Sequence, residues 1–109
     1  MRKQLALLTL LVFLHHPGSY SQQSPSHHPQ EGFVPDAEAA AKIAEAALIP
    51  VYGEKKIVSE RPFKATLQAD VWIVDGTLHC GDHPHCVGGA AHVEIAKESG
   101  QILRMAHYK

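Results

Sequence analysis

Residues that announce a chemistry are scarce in this chain. Its 109 residues include no glycine-rich phosphate loop and no Gly-x-Ser-x-Gly elbow, which removes two common signatures of nucleotide binding and acyl transfer. Ten Lys and Arg stand against eleven Asp and Glu for a net charge of −1, so the basic footprint of a nucleic-acid binder is missing. No apolar run reaches the roughly 20 residues needed to cross hydrocarbon. Hydrophobic residues make up 45% and charged residues 19%, too apolar for a disordered chain, and the length is too short for two ordinary domains. Tryptophan occurs once and cysteine twice. Against this background nine histidines stand out, and both cysteines fall within one short segment.

The first 21 residues read as a secretory leader: a positive start at Arg2 and Lys3, the apolar run LALLTLLVFL at 5–14, a His-Pro-Gly break, and a small-x-small pattern at Ser19 and Ser21. A retained anchor is the competing reading, but the run is short for one. Cleavage after Ser21 removes Arg2 and Lys3 and takes the net charge to −3. It also places the remaining cysteines in an oxidising compartment, periplasmic or extracellular. Residues 22–31, rich in Ser, Gln and Pro, read as a flexible linker. Residues 32–109 then form a single domain.

That domain reads as α+β. Asp36 after Pro35 is a natural N-cap, and seven alanines over 37–47 favour a thin helix from 36 to about 50. Ile43, Ala44, Ala47, Leu48 and Val51 share one helical face, with Pro50 and Gly53 ending the helix. Four strands follow at 63–68, 71–78, 90–97 and 101–108. Short links make them an antiparallel meander, a curled sheet with the lone helix on one face.

A trial register pairs Leu67 with Val71, Cys80 with Cys86 and Ile95 with Leu103. It gathers Phe63, Ala65, Leu67, Val71, Ile73, Val93, Ile95, Leu103 and Met105 under the helix. Lys64, Thr66, Trp72, Val74, His92, Glu94 and Arg104 fall on the other face. A one-residue slip would exchange the two sets.

Two constellations could carry function. The segment HCGDHPHC at 79–86 admits a Cys80–Cys86 disulfide, a zinc site on those cysteines with His79, His83 or His85, or free thiols. Export favours the disulfide, worth roughly 2 kcal/mol for so small a ring. The spacing is tight for four zinc ligands from one loop, and beyond that option no cofactor is implied. The face holding Lys64, Thr66, Trp72, His92, Glu94 and Arg104 reads either as a partner site or as a second packed face, covered by the N-terminal segment or by another copy of the chain. His92 and Glu94 lie two apart on a strand, as an acid–base pair might, but no nucleophile accompanies them and no enzyme is expected. Lys55-Lys56 reads as a solvated turn, and Tyr52-Gly53, Pro62-Phe63 and Gly88-Gly89 as structural.

One ordered series is more specific. Glu31-Gly32-Phe33-Val34-Pro35-Asp36, Pro50-Val51-Tyr52-Gly53-Glu54, Arg61-Pro62-Phe63-Lys64, residues 71–78 (VWIVDGTL), Gly88-Gly89, and Gly100-Gln101-Ile102-Leu103-Arg104 with His107 together resemble a bacterial immunity-protein family. That family is assigned a nuclear-transport-factor-2-like, cystatin-like cone, and the resemblance covers about residues 32–109. It implies a protein that binds and neutralises a cognate toxin of a polymorphic toxin system, without catalysis or cofactor. It carries over no set of toxin-contacting residues. The chain departs from the pattern in the loop before Gly88-Gly89, which carries the Cys-His cluster. With the leader, the resemblance implies an exported binding protein that makes no stable membrane insertion once cleaved and no contact with nucleic acid. A small-molecule- or metal-binding domain of the same cone is the alternative.

Overall fold

The computed structural model describes residues 27–82 and 88–109. The expected leader, His83, His85, Cys86 and most of the expected linker lie outside them. Asp36 opens helix α1 (Ala37–Tyr52) as its carboxylate suggests, accepting from the backbone N–H of Ala39 at 2.8 Å. Ala40, Ala44 and Leu48 form its fully buried stripe. Pro50 does not end the helix. It forgoes one N–H, its fixed φ suits the helical path, and the chain runs on to Tyr52 before Gly53, at φ 95°, closes the end with a bond to Ile49 O. Val51, expected on the buried face, is exposed.

A second helix, α2 (Glu54–Ser59), occupies the segment expected as a turn. It buries Ile57, and tertiary packing holds a stretch too short to be helical by propensity alone.

Strands β1 (Lys64–Gln68), β2 (Val71–Asp75), β3 (Ala91–Ala96) and β4 (Ile102–His107) form one antiparallel sheet in sequence order. Helix α1 packs across β1, β2 and β3 on one face. The fold is therefore the expected α+β meander with its helix layer, enlarged by α2.

The register corrects one strand. Leu67 pairs with Trp72 and Gln68 with Val71, across a two-residue turn in which Ala69 takes φ 52°. On the other side Trp72 pairs with Ile95 and Val74 with Val93. Thus the whole of β2 sits one residue away from the expected pairing, and a one-residue slip inverts every side chain it carries. Trp72 and Val74 join Val93, Ile95, Ala91 and Phe63 in the core, while Val71 and Ile73 turn outward and are half-buried. Met105 pairs with Val93 as expected, but an irregularity at Glu94/Ile95 then pairs Ile95 with Ile102. That bulge displaces Leu103 from its expected core place, leaving it 49% exposed.

The segment before α1 is tied to the far end of the sheet. Phe33 and Val34 donate to the carbonyls of Glu98 and Lys97, each at 3.0 Å, and buried Trp72 donates from Nε1 to Val34 O at 2.7 Å. Gly32 passes so close to this turn that a Cβ would lie 2.7 Å from Lys97 O. His28 reaches Glu98 at 3.0 Å at the surface.

Candidate functional site

Strand alternation sets what the uncovered face shows. Opposite α1, the sheet presents Lys64 and Thr66 from β1, Ile73 and Asp75 from β2, His92 and Glu94 from β3, and Arg104 from β4. Trp72, expected here, is absent from this face: it is 7% exposed and lies on the helix side because β2 is shifted.

His92 is the hub of this surface. Its Nδ1 lies 2.6 Å from Asp75 Oδ1 and its Nε2 lies 3.0 Å from Glu94 Oε2. Arg104 Nε stands 3.9 Å from the same Glu94 oxygen. A neutral imidazole has one N–H and satisfies one carboxylate; the doubly protonated ring satisfies both. Burial is the largest single influence and opposes the charge. The hydrogen bonds to Asp75 and Glu94, reinforced by their charges, together outweigh it and raise His92 above the ordinary histidine value. With His92 charged, three cations (Lys64, His92, Arg104) face two carboxylates on this surface.

The same geometry argues against acid–base catalysis here. Both ring nitrogens are taken by carboxylates, so no lone pair is aimed at a nucleophile or a water. Asp75 was not singled out from sequence, because only the observed register sets it opposite His92.

A second polar group sits inside the fold. Glu60, buried after α2, accepts from Ala91 N–H at 2.7 Å, and its other oxygen lies 3.1 Å from His107 Nε2. His107 Nδ1 donates to Tyr108 O at 2.9 Å, and its ring contacts Tyr52 at a centroid distance of 5.4 Å. Beside them opens a cavity of about 450 Å³, lined by Tyr52, Lys56, Gly88, Gly89, His107, Tyr108 and Lys109. No sequence pattern foretold this site, since Glu60 and His107 are 47 residues apart.

The Cys-His segment is described only up to Asp82. His79 Nε2 contacts Arg61 O at 2.6 Å, and Cys80 Sγ lies 3.9 Å from Leu78 O. The described residues hold no group of three or more metal-ligating side chains. None of their helices is long and apolar enough to cross a membrane.

Comparison with known proteins adds an independent finding. A family model described as NTF2 fold immunity protein matches residues 39–109, from the first turn of α1 to the last residue. The chain is also similar to the uncharacterized protein YhhH of Escherichia coli (strain K12), 29% identical over 87 residues, which cover 80% of this chain and 66% of that protein. The match thus spans just under two thirds of that relative's length. No solved structure gives a significant match.

Proposed function

Since the chain belongs to the NTF2-fold immunity protein family, we propose that it neutralises a cognate toxin by binding it directly, with no bond made or broken. The family match over both helices and all four strands carries this reading. The face opposite α1 is the binding surface. There Lys64 and Arg104 flank the Asp75–His92–Glu94 cluster, and no described helix covers it. Asp75, His92 and Glu94 are already hydrogen-bonded to one another and lose little conformational freedom on docking. Lys64 and Arg104, the exposed cations of this face, suit an acidic patch on the toxin.

The leader reading makes the protein exported, so protection acts in the periplasm or outside the cell. In that compartment Cys80 pairs with Cys86 and closes the loop ahead of β3.

The test is co-expression with any secreted toxin found encoded beside the gene. The full chain is expected to restore growth and to co-purify with the toxin domain. Lys64→Glu with Arg104→Glu is expected to weaken the complex at least about tenfold. Failure of the unaltered chain both to protect and to bind would remove the immunity reading. Unchanged affinity of the double variant would move the contact to another face.

A further inference from the structure

The cavity at the other end of the sheet has a chemistry of its own. Its lining brings two lysines together, Lys56 from α2 and Lys109 after β4, with no acidic side chain among the described residues that form it. Neither ammonium has a carboxylate partner among the described residues. Aromatic rings also line the cavity. The Tyr52 and His107 rings meet at 5.4 Å, and both His107 nitrogens are engaged, one with Glu60 and one with Tyr108 O. His107 therefore offers a ring surface rather than a free nitrogen. Gly88 and Gly89 contribute backbone to the lining. Gly89 lies so close to the last strand that a Cβ would stand 2.3 Å from Tyr108 Cβ, and its N–H is already bonded to Tyr108 O.

A planar apolar body suits a lining with these rings, and an anionic end suits the two ammoniums. We propose that this cavity binds a small planar carboxylate, ring against Tyr52 and His107, carboxylate toward Lys56 and Lys109. The site is separate from the outer sheet face, so it stands or falls independently of toxin binding.

Benzoate is a suitable probe, with benzyl alcohol as the uncharged control, followed by amide shifts of the full mature chain in solution. Benzoate is expected to give saturable shifts at Gly88, Gly89, His107 and Lys109, and benzyl alcohol much weaker binding. Lys56→Gln with Lys109→Gln is expected to cut benzoate affinity about tenfold. Lys56 and Lys109 are both exposed and the Ser59 hydroxyl bonds only the Lys56 backbone carbonyl, so this variant keeps the thermal midpoint of the parent and its loss of binding reads on the site. Equal binding of benzoate and benzyl alcohol, absence of saturable shifts at these amides, or full affinity in the double variant would each overturn the proposal.

Discussion

Trp72 is the only tryptophan in the chain, and its position decides the register of β2. Replacing it with phenylalanine removes the 2.7 Å bond from Nε1 to Val34 O, the link that ties the pre-helix segment to the core. The carbonyl belongs to a fully buried residue, so losing its donor costs about 1–3 kcal/mol. The smaller ring also leaves unfilled space among Val34, Val74 and Ile95, and the sum is about 2–4 kcal/mol. For a domain of this size that lowers the melting midpoint by about 10 °C or more. Fluorescence of the unaltered protein provides a second reading: native emission is expected to be blue-shifted and shielded from acrylamide, and both properties should vanish on denaturation. With Trp72 on the outer face, the substitution would cost less than about 0.5 kcal/mol and native emission would be as quenchable as unfolded emission. That pair of results would refute the register.

Three further outcomes follow from groups already placed. His92 titrates above its ordinary value of 6.5, so its contribution is complete below that value and fades as the pH rises through the raised one. The stability deficit of His92→Gln, measured by urea denaturation, should therefore shrink as the pH rises above 6.5, and a deficit that grows with pH would contradict the Asp75–His92–Glu94 assignment. Glu60→Ala strands the Ala91 N–H and the His107 ring and should cost about 2–4 kcal/mol, whereas Glu60→Gln, which keeps an acceptor for Ala91, should cost less. Gly89→Ala places a Cβ against Tyr108 and should destabilise by about 1–3 kcal/mol, read as a lower denaturation midpoint.

The parts of the fold readable from sequence are those with one-sided signals. Asp36 has a single plausible job at a helix start, and the alternation of β1 and β3 has one apolar face each. The stretch Val71-Trp72-Ile73-Val74 is apolar on both sides, so its pattern is silent about which side is buried. The turn that fixes it, Ala69-Asp70, puts an alanine at φ 52°, where a glycine or asparagine would have signalled a two-residue hairpin. That silence misplaced Trp72 and also hid Asp75, which faces His92 only in the true pairing. Helix α2 escaped notice because six residues leave no periodicity to read, and its single buried side chain, Ile57, is explained by contacts from elsewhere in the fold.

The anchoring of Phe33 and Val34 on the β3–β4 turn also determines where the chain enters the domain. Helix α1 is 16 residues long, about 24 Å, and it separates that entry point from the Tyr52–His107 end. Anything attached ahead of residue 27, whether a tether, an affinity handle or a fused reporter, joins at the opposite pole from the cavity. Immobilisation through the amino terminus therefore leaves the aromatic end of the cone accessible to solutes.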